Sequence, residues 1–227
     1  MKKLLFVSLS ACLLAVSCSK SDDPTPTPSA EKYMSTSVGS TWNYAFVDNL
    51  DNTNNSSYVV TSTNRDSTAA GKSYHVFTNS SGGNEYYNIT GSDYFTLQAF
   101  SLGTTDTTIV NLYMKDDAVV NASWSQTYNL DLGLTTPVAI TLVNKIQEKG
   151  ISKILGSTTY TNVIHVVTTI SIPTVILLGG TVTSDIHYYY APKYGMIQND
   201  AKLHIIVPGV LDQNNDSQTK LQSATIL

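Results

Sequence analysis

The chain has 227 residues, a formal net charge of −4 and two cysteines. A mildly acidic balance with a single arginine, Arg65, argues against a nucleic-acid partner and against a phosphate-gripping site, because both depend on basic side chains. Two cysteines, Cys12 and Cys18, are too few for a disulfide scaffold, so the fold must depend on its own hydrophobic core.

The N-terminal segment has the pattern of a secretory signal. Lysines at positions 2 and 3 come first, an apolar run follows over 4–16, and small residues precede Cys18. The run is shorter than the roughly 20 apolar residues that a spanning helix needs. Residues 14–18 resemble a bacterial lipobox, in which the cysteine becomes the acylated first residue of the mature protein. We therefore predict a signal peptide over 1–17 and an acyl anchor, palmitate included, on Cys18.

Residues 18–32 are predicted to be the lipidated cysteine and a tether. The alternating proline and threonine over 24–28 favour an extended polyproline geometry, from which no core can form. Lys20 and the two aspartates at 22–23 resemble the export signal of Bacteroidetes surface lipoproteins. This resemblance implies an outer-membrane lipoprotein displayed on the cell surface, with the periplasmic face as the alternative.

Residues 33–227 are predicted to form a single all-β domain. Alternating apolar and polar side chains, rich in threonine, valine, isoleucine and tyrosine, favour short strands separated by glycine- and asparagine-rich turns. The predicted strands are 42–47, 58–63, 73–78, 85–90, 94–100, 108–114, 124–130, 138–147, 164–172, 181–191, 201–207 and 219–226. This spacing predicts an antiparallel, strongly curved sheet (half-barrel, barrel or sandwich) with little helix. A single helical turn is expected at 116–120, and Asp212–Asp216 is expected to be a hairpin loop.

Two motifs carry a family resemblance. Val38–Tyr44 reads V-G-S-T-W-N-Y, and Tyr188–Ile197 reads Y-Y-Y-A-P-K-Y-G-M-I. They resemble the V-G-x-x-W-x-Y and Y-Y-A-P-x-x-G-x-I motifs of Bacteroidetes lipoproteins of unknown function. These proteins are distantly similar to the half-barrels of the outer-membrane lipoprotein-carrier superfamily, which hold acyl chains in a concave face. The spacing of Trp42 and Tyr44 by two residues also places both side chains on one face of a strand, where they can anchor a core.

The chain contains no motif for a known catalytic or cofactor site. It has no nucleophile elbow, no phosphate loop and no histidine pair at metal-ligand spacing, so we predict no catalytic residue, no metal and no cofactor. Asp185, His187 and Tyr189 share one face of a predicted strand and could form a polar site in a concave surface. An ordinary solvated sheet face is the interpretation that we favour, since polar triples are common there.

An apolar run lies next to a predicted turn. Four consecutive apolar residues precede Gly179-Gly180, and they are Val175, Ile176, Leu177 and Leu178. The run is either buried on both faces of the sheet, which we favour, or exposed as an apolar tip for a partner or a membrane.

Three functions are compatible with these features. The first is a non-enzymatic, envelope-anchored lipoprotein that presents a β-sheet surface to a ligand or an envelope partner. The second is a carrier or chaperone for lipid or another apolar ligand, which a continuous apolar pocket of several hundred Å³ would favour. The third is a glycan-binding or glycan-active surface protein, for which Trp124 with Asp131 is the nearest approach to an aromatic platform beside an acid.

Overall fold

In a computed structural model, which describes residues 31–102, 105–130 and 137–227, most residues lie in β-strands. The strands are β1 Thr41–Asp48, β2 Ser56–Ala69, β3 Lys72–Asn79, β4 Asn84–Thr90, β5 Asp93–Leu102, β6 Thr105–Lys115, β7 Ser123–Leu130, β8 Val138–Leu155, β9 Thr158–Ser171, β10 Thr181–Ala191, β11 Gly195–Val207 and β12 Leu211–Thr225. A 3₁₀ turn over Asn52–Asn54 and a short helix, α1, over Pro173–Leu177 complete these elements. The predicted all-β class is confirmed. The expected signal peptide and the Cys18 anchor lie outside the described residues.

The strands form one antiparallel sheet in the order β6-β5-β4-β3-β2-β1-β12-β11-β10-β9-β8-β7. Two meanders, β1–β6 and β7–β12, are therefore joined where the first strand pairs with the last. Thr41 lies opposite Thr225 in this ladder, and the Leu227 backbone N–H donates to Ser40 Oγ at 3.1 Å. The beginning and the end of this sheet are thus neighbours at its centre.

The two outer strands, β6 and β7, face each other, but among the described residues no backbone ladder joins them. Side chains of β7 bridge this seam instead. Gln126 accepts from the Leu112 N–H at 2.6 Å and donates to the Val110 carbonyl at 3.2 Å. Trp124 Nε1 donates to the Leu112 carbonyl at 2.7 Å, and the Tyr128 hydroxyl donates to the Val110 carbonyl at 2.7 Å. The sheet is therefore nearly closed into a barrel.

The interior is filled by two groups of buried side chains. One group includes Trp42, Phe77, Tyr113 and Ile164, and the other includes Ile140, Leu142, Ile172 and Ile205. Both groups lie on the inward face of the sheet, since successive side chains of a strand point to opposite sides. On β8, for example, Val138, Ile140, Leu142 and Ile146 alternate with less buried residues, and all four are buried.

Two local predictions are wrong. Asp212–Asp216 lies within β12, paired with β11, because the turn is shorter than expected and ends at Val210. The segment 116–120 is irregular, and the helical turn occurs instead at α1, where Pro173 occupies the first turn and fixes a helical φ. No helix in the described ranges is long and apolar enough to span a membrane.

Candidate functional site

A cavity of about 340 Å³ lies inside the sheet, and we call it the aromatic cavity. Aromatic side chains from β1, β4, β6 and β10 form much of its lining, and they are Trp42, Tyr44, Tyr87, Tyr113, Tyr188 and Tyr190. Asn84 and Ala99 line it and are exposed, whereas Trp42 and Val60 line it and are buried. The cavity therefore leads from the surface into the core of the sheet.

The two sequence motifs supply four of these aromatic walls. Trp42 and Tyr44 alternate along β1 and both face inward, as predicted. Tyr188 and Tyr190 do the same along β10, while Tyr189 between them points outward. Their role is broader than core anchoring, because their rings also bound an open volume.

Two residues of the cavity lining each have a buried polar atom that finds no hydrogen-bond partner within the described part of the chain. These atoms are Trp42 Nε1 and Asn111 Oδ1, and the two residues are 1% and 8% exposed. Asn111 uses its other amide atom to donate to Gln98 Oε1 at 3.0 Å. A buried donor or acceptor without a partner costs about 1–3 kcal/mol, so the wall of the cavity is a locally costly part of the fold.

Glu85 is the one carboxylate among the described residues of the cavity lining. Its two oxygens accept from Asn79 Nδ2 at 2.7 Å and from the Tyr87 hydroxyl at 2.8 Å, so neutral donors hold it. Burial raises the pKa of Tyr44 and of Tyr87 well above its usual value, and the charge of Glu85 raises both further. The phenols are therefore neutral at physiological pH, and the only formal charge in this lining is negative.

Comparisons with known proteins identify no family. No family model matches the sequence, and no curated protein matches it. The fold is similar to the crystal structure of a candidate lipoprotein from Parabacteroides distasonis, with 11% identity and a TM-score of 0.45 over 86% of this chain and 99% of that chain. At this level of similarity, the function has to be argued from the site itself.

The second candidate site, predicted around Asp185, His187 and Tyr189, is a hydrogen-bonded chain of side chains across three strands. Asp185 Oδ1 lies 2.7 Å from His187 Nε2, and His187 Nδ1 lies 2.8 Å from His165 Nε2. His165 Nδ1 in turn lies 2.8 Å from Glu148 Oε2. Because Ile186, Tyr188 and Tyr190 point into the core, this chain lies on the outer face of the sheet and not in a concave surface, which was the alternative to the favoured ordinary sheet face.

Stacking completes this outer cluster. The Tyr189 ring stacks on His165 at 4.2 Å between centroids, and Lys153 Nζ lies 3.4 Å from the Tyr189 centroid. Burial lowers the pKa of His165 and also that of Lys153. Each ring nitrogen of the two histidines already has a partner. No group of three or more histidine, cysteine or acidic side chains in the described ranges is arranged to hold a metal ion.

The apolar run at 175–178 is divided between the core and the surface. Val175 is 5% exposed, whereas Ile176, Leu177 and Leu178 are 55%, 86% and 60% exposed. Burial of the whole run, the favoured expectation, is therefore wrong, because a helical turn directs one side chain inward and the next three outward. Gly180 fixes α1 against the sheet, since a Cβ there would collide with the Ile206 carbonyl oxygen.

Sequence reasoning missed Glu85 and Asn111, which give the aromatic cavity its polarity. The signal was present, because each of these two residues alternates with outward residues on its strand and so shares the inward face with Tyr87 or Tyr113.

Trp124, the residue expected to form an aromatic platform for a glycan, takes part in the seam between β6 and β7. Its indole N–H bonds across the seam to Leu112, and Asp131 lies outside the described residues.

Proposed function

We propose that the protein is a non-enzymatic, envelope-anchored lipoprotein that binds a small molecule in the aromatic cavity. The observation that carries this proposal is a cavity of about 340 Å³ that opens to the surface and is lined by aromatic side chains and the carboxylate of Glu85. This volume falls within the range of about 300–1,000 Å³ that small-molecule sites occupy. The aromatic walls supply apolar contact area, and the Glu85 carboxylate can orient a bound molecule.

The geometry favours binding over surface presentation alone. A cavity with aromatic walls and a few polar groups can orient a ligand, whereas the outer cluster around His165 has its hydrogen bonds satisfied internally. The carrier function is the second candidate, and the cavity supports it in part. The mixed lining, with Glu85 and without a cation among the described residues, suits a fatty acid poorly because the two carboxylates would repel each other.

Anchoring to the outer membrane rests on the lipobox resemblance of residues 14–18. Cells fed labelled palmitate should incorporate the label into the wild-type chain, because acylation of Cys18 follows export. Cys18→Ser should abolish incorporation, whereas Cys12→Ser should leave it unchanged, since Cys12 lies in the part that is removed. Equal labelling of the Cys18→Ser chain would contradict the proposed anchor.

Native mass spectrometry of protein purified from its own host tests the cavity. We expect the wild-type chain to carry a bound small molecule and Asn111→Leu to lose it. Asn111→Leu removes an unpartnered buried acceptor but also the donation to Gln98 Oε1, so the two effects on the ligand-free protein oppose each other. We therefore expect its free energy of unfolding to stay within about 1 kcal/mol of the wild-type value, which corresponds to a change of at most about 2–4 °C in Tm for a domain of this size.

Asn88→Leu is the matched control, because Asn88 lies on the outer face of β4 and donates to the Ser73 carbonyl. It should leave the bound molecule in place. A wild-type chain without any bound molecule, or retention of the molecule by Asn111→Leu, would argue against the cavity as the functional site. A glycan or a lipid bound there would assign the ligand class and keep the site.

A further inference from the structure

We infer that the aromatic cavity selects an organic cation of the ammonium class, with the carboxylate of Glu85 as its counter-charge. This inference rests on the proposed function and specifies the chemistry of the ligand. It depends on two features of the lining, which are its charge and its aromatic rings.

The charge of the lining is uncompensated. Among the described residues of the lining, none is lysine, arginine or histidine, and within the described ranges Glu85 forms no ion pair. Arg65 is exposed and donates to Asn84 Oδ1 at 3.3 Å. Water screens a charge weakly inside a protein, so a carboxylate held only by neutral donors attracts a cation strongly and repels an anion.

The aromatic rings of the lining also favour a cation over an anion. Tyr87 and Tyr113 lie 6.1 Å apart at 80°, and Tyr113 and Tyr190 lie 5.3 Å apart at 37°. The three rings come from β4, β6 and β10, are inclined to one another, and all line the cavity. The face of an aromatic ring carries partial negative charge and attracts ammonium groups, most strongly where water is excluded. Tyrosine faces and a carboxylate together are the chemistry that recognises alkylammonium ions.

Choline and its uncharged isostere 3,3-dimethyl-1-butanol separate charge from shape. In isothermal titration calorimetry of the full chain in detergent, we expect choline to bind at least about tenfold more tightly than the alcohol, a factor typical of one buried cation contact. Glu85→Gln should reduce the affinity for choline by about tenfold or more and leave that for the alcohol unchanged. Glu148→Gln is the matched control, because Glu148 lies in the outer cluster, and it should change neither affinity.

Equal binding of choline and the alcohol by the wild-type protein would overturn this inference, and that comparison needs no variant to fold. Unchanged choline affinity in Glu85→Gln, or binding of neither probe, would overturn it as well. The proposed function fails separately, through the absence of any host-derived molecule in native mass spectrometry. An anionic or neutral molecule found there would retain the binding function and reject the cation.

Discussion

Replacing Gln126 with leucine is expected to lower the free energy of unfolding by about 1–3 kcal/mol, measured by urea denaturation. One amide group of Gln126 supplies an acceptor to the Leu112 N–H and a donor to the Val110 carbonyl, which are the bonds that a neighbouring strand would make. Leucine fills the same space and makes neither bond. The Leu112 N–H would then lose its partner, at about 1–3 kcal/mol if it stays buried, whereas the Val110 carbonyl would keep the Tyr128 hydroxyl.

Gln222→Leu provides the matched control for the seam. Gln222 is exposed and its amide makes one long contact, 3.5 Å, to the Lys220 carbonyl. Its replacement should change the free energy of unfolding by less than about 0.5 kcal/mol. If Gln126→Leu behaved like Gln222→Leu, the side-chain bridges would not be what holds β6 against β7.

Trp42→Ala is expected to cost about 3–5 kcal/mol of stability, the range typical of a large aromatic side chain removed from a core. Trp42 is 1% exposed and its ring meets Phe77 edge to face at 5.6 Å. Truncation would extend the aromatic cavity into the core and leave Phe77 without this contact. Thermal unfolding followed by circular dichroism would measure the loss.

Trp42→Phe separates packing from hydrogen bonding at the same position. Phenylalanine keeps an aromatic edge for Phe77 and removes the unpartnered indole N–H, so its cost should be clearly smaller than that of alanine. A loss of stability below about 1 kcal/mol for Trp42→Ala would show that this residue does not anchor the core. Removing only one or two buried methyl groups typically costs about that much.

The fold could be predicted from the sequence to the extent that it is local. A side-chain period of two placed Trp42 and Tyr44 on one face, and the strand boundaries followed from turn residues such as Gly91 and Gly209, both of which adopt positive φ. Closure of the sheet could not be predicted. The partner of β1 lies at the far end of the chain, and local patterns carry no information on such pairing.

The candidate sites could likewise be predicted only where they depend on residues close together in the sequence. The shared face of Asp185 and His187 followed from their spacing within one strand, but their connection to His165 and Glu148 depends on the register between β8, β9 and β10. The polarity of the aromatic cavity depends on pairing across strands in the same way. The helix α1 was missed because a segment of five residues is too short to show a helical period, and its end is set by a close approach of Gly180 to the backbone of β11.

The pairing of β1 with β12 determines the order in which this sheet can be completed. Ten of the eleven ladders join strands that are consecutive in the chain, and the eleventh joins residues as distant as Thr41 and Thr225. Hairpins with local contacts form quickly, whereas a ladder between distant segments must overcome the entropy of closing a long loop. A chain that emerges from a ribosome or a translocation pore therefore keeps β1 as an open edge until β12 has emerged. Throughout that interval the unpaired edge of β1 can pair with other chains and aggregate. A chaperone that covers this edge, or rapid emergence of β12, would limit the aggregation.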